Sequence, residues 1–201
     1  QLGSGQSVSQ LHLGGGTPTF LSDDELARLM AMLRTHFNLV PGGEYSVEVD
    51  PRTVDATRLQ SLARLGFNRI SFGVQDFATP VQMKINRLQT FGLVKAATEF
   101  LREAGFTSVN FDLMYGLPAQ TVESVARTAQ QAAELKPDRI SVFGYAHVPW
   151  MSKRQQMIPS DTMPTPQERL GLYEAAQALF LTHGYQEIGI DHFAKPTDAM
   201  A

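Results

Sequence analysis

The residues best suited to chemistry in this sequence sit where short apolar segments give way to polar ones. Gly14-Gly15-Gly16-Thr17-Pro18-Thr19 follows the segment Gln10–Leu13. Three bare glycines let a ligand approach backbone N–H groups without meeting a Cβ. Thr17 adds a hydroxyl, and Pro18 stiffens the exit. The same hand-over recurs at Glu48 and Asp50, Gln75 and Asp76, Asp112 and Tyr115, Tyr145 and His147, and Asp191 and His192. The set is rich in acceptors and hydroxyls and poor in cations. It suits a ligand carrying an ammonium group and hydroxyls, with Glu48 for the ammonium and Asp112 for a ribose hydroxyl or an amine. A phosphate-rich ligand suits it badly, because the glycines lack the lysine of a phosphate loop.

Each member also has a plainer reading. The glycine triplet can be a tight turn and nothing more. Asp50, before Pro51, and Asp76 are placed to brace loops or cap helices. His147 and His192 show no metal-ligand spacing, so no metal site is expected. His12, inside a strand, reads as a packed core or interface histidine. His36 and His183 lie near helix C-termini, where they complement the helix dipole. Arg87, after Asn86 in a short loop, reads as a surface cation. The case for a site rests on the ring of strand ends as a set.

Positioning such a ring requires strands alternating with helices. Leu65-Gly66-Phe67, Ala104-Gly105-Phe106 and His183-Gly184-Tyr185 each close a helix ahead of a strand, and Lys136-Pro137 marks another stop. Ser22 and Glu25 form a capping box for a helix to about Phe37, with Leu26, Leu29, Met30, Leu33 and Phe37 on one face. Further helices are predicted over about 55–65, from a Thr90 cap to Ala104, from a Thr121 cap to about Leu135, and over about 165–182. The last carries Leu170, Tyr173, Ala176 and Leu179 as its stripe. Strands are predicted at 10–13, 45–49, 69–74, 108–114, 139–145 and 186–190. The alternation predicts an α/β fold with a parallel sheet and right-handed crossovers, either a (β/α) barrel or an open doubly wound sheet. In both, ligands bind beyond the carboxyl ends of the strands. The stretch 149–166, rich in Pro, Ser and Met, reads as a long excursion over one face.

The bulk properties narrow the classes. The chain has 201 residues and a net charge of -3, which suits one domain and gives no nucleic-acid footprint. No apolar run approaches the roughly 20 residues that span a bilayer, and no signal peptide is read, so a cytoplasmic location is expected. Cysteine is absent, so this chain has no disulfide, thiolate metal site or iron–sulfur ligand.

Five segments occur together in order: Leu11–Thr19, Glu48-Val49-Asp50-Pro51-Arg52, Ser71–Phe77 (SFGVQDF), Asp112–Pro118 (DLMYGLP) and Asp191-His192-Phe193-Ala194. On these the chain, from about Ser9 to Pro196, resembles the family of oxygen-independent coproporphyrinogen III oxidases. These are radical S-adenosylmethionine (SAM) enzymes of haem biosynthesis. The GGGTPT run alone indicates only the wider radical SAM group. Asp50, Asp76 and the Asp191-His192-Phe193 run separate the oxidase pattern from that of the related radical SAM haem chaperones, the alternative reading. A cluster-free SAM-binding barrel is a third.

The resemblance implies a partial TIM-like (β/α) barrel of the radical SAM type over 10–196, with 1–9 disordered or a remnant and 197–201 a tail. It implies that Gly15, Glu48 and Ala146 hold the methionyl part of the SAM at the cluster. Gly16, Thr17, Gln75, Arg87 and Asp112 match positions that contact a second SAM. It implies a [4Fe–4S] cluster in the intact parent only, from a CxxxCxxC loop N-terminal to this chain. The expectation is therefore an internal fragment, inactive alone. A barrel missing its first strand leaves an open edge beside Gln10–Leu13, an aggregation liability. The implied reaction is oxidative decarboxylation of coproporphyrinogen III to protoporphyrinogen IX, with an electron-donor protein as partner of the parent and neither nucleic acid nor membrane involved. No catalytic residue is assigned.

Overall fold

The computed structural model describes residues 5–153 and 155–201. Strands and helices alternate through most of the chain: β1 (Gln6–Leu13), α1 (Asp23–His36), β2 (Phe37–Val49), α2 (Ala56–Arg64), β3 (Arg69–Gln75), α3 (Thr79–Lys84), α4 (Phe91–Glu103), β4 (Ser108–Tyr115), α5 (Val122–Glu134), β5 (Arg139–Gly144), α6 (Pro166–Thr182), β6 (Gln186–Glu187) and β7 (His192–Ala194). The strands lie in one sheet in the order β1-β2-β3-β4-β5-β7-β6. The fold class is α/β, as the alternation predicts.

The helix starts follow the sequence signals. Ser22 with Glu25 forms a complete capping box, and Thr121 and Thr165 head two more. Thr90 accepts the Leu93 N–H at the start of α4. Asp55 caps α2 by accepting the Arg58 N–H.

The chain divides into two compact units. The first, Gln1–Gly73 with Lys95–Asn110, holds β1 and β2. Both pairings within it, β1 with β2 and β2 with β3, are parallel, with His12 opposite Ser46 and Leu13 opposite Val47. Leu26 and Met30 of α1 and Leu59 and Leu62 of α2 are buried with Val47, Ile70 and Phe72 of the strands. The second unit, Val74–Val94 with Phe111–Ala201, is built on β5, β6, β7, α3, α5 and α6. Its buried apolar residues include Phe111, Val142, Leu172, Ala176, Phe180 and Phe193.

Several expectations are corrected. Strand β1 begins at Gln6, four residues ahead of the predicted start, within the stretch expected to be disordered; residues 1–4 lie outside the described residues. Strand β2 begins at Phe37, so Phe37 belongs to a strand and not to the α1 stripe. It runs through Pro41-Gly42-Gly43, and the β1–β2 register shifts between Val8 and Gln10 to absorb the extra residues. Helix α3 was not predicted. The predicted parallel strand 186–190 is instead the short β6; Gly189 (φ 99°) and Asp191 (φ 62°) turn the chain back. The returning strand β7 then pairs antiparallel with both β5 and β6. On α6 the buried stripe is Leu172, Ala176 and Phe180, while Leu170 is 57% exposed. The expected tail is tied down: Arg139 Nε donates to Asp198 Oδ1 at 2.6 Å, with both side chains buried.

Candidate functional site

In the first unit the candidate residues lie at the ends of β1 and β2. Parallel pairing sets His12 beside Ser46, and the two-residue period of β2 puts Glu48 on the same face one step farther on. His12 Nδ1 lies 2.8 Å from Ser46 Oγ, and its Nε2 lies 3.2 Å from Glu48 Oε1. The other Glu48 oxygen accepts the Gly15 N–H at 3.2 Å. Gly14 lies beneath this carboxylate: a Cβ there would sit 2.5 Å from Glu48 Oε1 and 2.6 Å from His12 Nε2. Gly15 (φ 81°) and Gly16 (φ 153°) adopt backbone angles that favour glycine. The triplet thus does more than turn the chain; it makes room for a carboxylate and donates to it. The structure therefore brings Gly15 and Glu48 together.

Gly16 and Thr17 follow on the exposed loop. Thr17 heads a 3₁₀ turn over 18–20, accepts the Phe20 N–H through its carbonyl, and makes no side-chain cap bond. The exit from this loop is held by Arg58 of α2. Its guanidinium donates to the Thr19 carbonyl at 3.2 Å and to that of Leu21, and pairs with Asp23. Beyond β2, Asp50 braces its own loop as the plainer reading expects, through a bidentate pair with Arg52. His12 is a correction. It is no packed core histidine; its side chain is 54% exposed and joined to Glu48. Nothing local in the sequence marks it, but the parallel register, once known, does.

In the second unit Gln75 ends β3 with φ 68°, a left-handed value rare for a residue with a Cβ. Asp76 follows, fully buried, with one oxygen accepting from the Ala78 N–H and the Thr128 hydroxyl and the other from Gln120 Nε2. Burial pushes its carboxyl pKa up, and those hydrogen bonds oppose the rise. Arg87, in the loop between α3 and α4, is half-buried, with its backbone N–H donating to the Gln82 carbonyl at 2.8 Å. It is therefore not the plain surface cation that its local sequence suggests. Asp112 stands half-buried on β4. Ala146 lies just past β5, exposed, its carbonyl accepting Gln155 Nε2 at 3.1 Å from the long excursion. His147 Nε2 meets Ser160 Oγ at 2.9 Å, and His192 packs edge-on to Phe143. Among the described residues no group of three or more His, Cys, Asp or Glu could hold a metal ion. No helix among them is long and apolar enough to cross a membrane.

The sequence pattern of the radical SAM superfamily matches residues 2–132, well over half of the chain. The chain belongs to the radical SAM superfamily. It is 47% identical over 200 residues to the oxygen-independent coproporphyrinogen III oxidase of Paracoccus denitrificans, covering 100% of this chain and 44% of the relative. With the oxidase of that name from Escherichia coli it shares 48% identity over 198 residues, 98% of this chain and 43% of the relative. The solved structure of coproporphyrinogen III oxidase from Escherichia coli, described as a radical SAM enzyme, superposes with a TM-score of 0.91. That match has 48% identity over 96% of this chain and 44% of that one. The archaeal Elp3 of Methanocaldococcus infernus (TM-score 0.69, 15% identity, 84% of this chain and 44% of that one) shares the fold alone. The chain spans less than half the length of the curated relatives it matches.

Radical SAM proteins use SAM and a [4Fe–4S] cluster. The two groups fare differently against these residues. The glycine bed with a half-exposed Glu48 carboxylate has the chemistry to take an α-ammonium group. A cluster finds no thiolate ligand among these 201 residues, because they contain no cysteine.

Proposed function

We propose that this chain supplies SAM-binding strand ends to an oxygen-independent coproporphyrinogen III oxidase. The observation that carries the reading is Glu48, held over Gly14 by the Gly15 N–H and His12, in a chain related over its whole length to such oxidases. Glu48 and the Gly15 backbone bind the ammonium and carboxylate ends of the methionyl group, and the backbone at Ala146 contributes to that SAM. Gly16, Thr17, Gln75, Arg87 and Asp112 contact a second SAM. SAM supplies the radical chemistry, while the protein binds, orients and excludes side reactions. The substrate is coproporphyrinogen III, of which two propionates become vinyl groups, each losing carbon dioxide, a proton and an electron pair; net cleavage of one SAM to methionine and 5′-deoxyadenosine per propionate would take up that proton and electron pair. An electron-donor protein serves the whole enzyme.

The test uses the full-length protein that carries this chain, prepared without oxygen and supplied with iron, sulfide, SAM, a reductant and coproporphyrinogen III. Formation of protoporphyrinogen IX with consumption of SAM supports the reading, and Glu48→Gln should raise the SAM concentration needed. Tight haem binding with no product would overturn it in favour of a haem chaperone.

A further inference from the structure

Gln75 is the apex of a three-residue turn: the Asp76 N–H donates to the Val74 carbonyl at 2.9 Å while Gln75 keeps φ at 68°. This positive-φ γ-turn is the rare, strained counterpart of the inverse γ-turn. Such a conformation persists only where its surroundings over-determine it. Those surroundings are three buried polar side chains, Asp76, Gln82 and Gln89, none more than 4% exposed.

Gln89 Nε2 adds a second donor to the Val74 carbonyl, on one side of the apex. On the other side, Gln82 Nε2 donates to the Asp76 carbonyl at 2.8 Å. Gln82 also ties down the backbone of Gln89, donating to its carbonyl at 2.7 Å and accepting its N–H at 3.1 Å. The Gln82 carbonyl accepts the N–H of Arg87. The turn that presents Gln75 and the loop that presents Arg87 are thus cross-linked through the same two glutamines. Gln120 extends the cross-link to the end of β4, donating to both Asp76 Oδ2 and the Met114 carbonyl.

Apolar side chains of this size would fill the same space without burying amides. Gln89 even leaves its Oε1 buried with no hydrogen-bond partner among the described residues, an unfavourable arrangement that its Nε2 donation offsets. What the amides contribute is a fixed backbone on either side of two ligand-type residues.

We propose that Gln82 and Gln89 are positioning residues, which hold Gln75 in its strained turn and register the Arg87 loop against it so that both meet SAM together. The inference rests on the assignment of Gln75 and Arg87 to SAM under Proposed function. It adds a pair of residues that touch no ligand.

A double-mutant cycle in the full-length protein tests it, with SAM affinity read by calorimetry. Gln89→Met keeps the volume and removes the donor. It should weaken SAM about tenfold, the upper range for one lost hydrogen bond. Adding it to the pair Gln75→Ala/Arg87→Ala should cost little more than that pair alone, because both residues being positioned are gone. Effects that simply multiply would overturn the proposal. Gln82→Met, which removes the donor without adding a charge, goes through the same cycle in case Gln89→Met does not fold. Hydrogen exchange without SAM is the independent readout: the Asp76 amide should lose about tenfold in protection in either variant, and unchanged protection would overturn the proposal. Wild-type protein that binds no SAM would overturn the proposed function instead. The exchange result would still decide whether the glutamines fix the turn.

Discussion

Gly14→Ala separates the space needed by the Glu48 carboxylate from the conformational needs of its neighbours. The added methyl would meet Glu48 Oε1 at 2.5 Å, His12 Nε2 at 2.6 Å and Glu48 Cδ at 2.7 Å. No relaxed structure keeps such contacts, so something moves. Both neighbours are the far ends of side chains that are 54% and 39% exposed, so they can swing outward. The Gly14 backbone does not lie in the left-handed region, so alanine is not strained there. Folding should therefore lose no more than about 0.5 kcal/mol, as for other surface changes. The swing breaks two contacts of Glu48, from Gly15 N–H and from His12, each 3.2 Å long and partly solvated. At about 0.5–1 kcal/mol apiece, in the lower range for such bonds, SAM affinity should fall about 5–30-fold. Gly15→Ala is the contrast. It meets nothing within 4 Å but has φ 81°, so it should cost about 1–2 kcal/mol of stability through the backbone. Thermal unfolding and SAM calorimetry on both variants read the difference. The reasoning is refuted if Gly14→Ala binds SAM like wild type, or destabilises as much as Gly15→Ala.

Burial raises the Asp76 pKa, so folding stability from this group is greatest below its unfolded value near 3.8 and declines as pH rises through the folded value. Asp76→Asn should therefore flatten that part of the stability–pH curve, measured by denaturant unfolding from pH 3.5 upward; an unchanged slope would count against the shift. On α6, Leu172→Ala should cost about 2–5 kcal/mol and Leu170→Ala less than about 0.5 kcal/mol, since one is 2% and the other 57% exposed. Equal losses in denaturant titrations would contradict the assigned face.

What was legible in the sequence is what local rules govern. Ser22 with Glu25, Thr90 and Thr121 announce helices through capping chemistry that needs no distant partner, and the glycines at 66, 105 and 184 stop helices where they should. Apolar residues occur all around α6, so spacing alone does not select its buried face. Pro41-Gly42-Gly43 reads locally as a break in β2; only pairing with β1 makes it a strand. At the site, the glycine triplet and Glu48 were readable from their types. The link through His12 was not, because it depends on a register between residues 34 positions apart. Arg87 looks ordinary for a similar reason: its backbone is tied to Gln82 of α3, a helix too short to show a period.

The insertion of β7 between β5 and β6 has a consequence for synthesis. Ser141 pairs with His192, and Arg139 with both Ala194 and Asp198, so β5 gains its second neighbour only from residues made roughly 50 positions later. At about 5–20 residues per second, a ribosome needs about 2.5–10 s to deliver them. Throughout that interval one side of β5 has unpaired N–H and C=O groups beside the buried-type residues Ile140 and Val142. The second unit thus cannot finish its sheet from the N-terminus forward. Its completion waits on its last strand, and the interval before that is when a nascent chain is most open to mispairing with another copy.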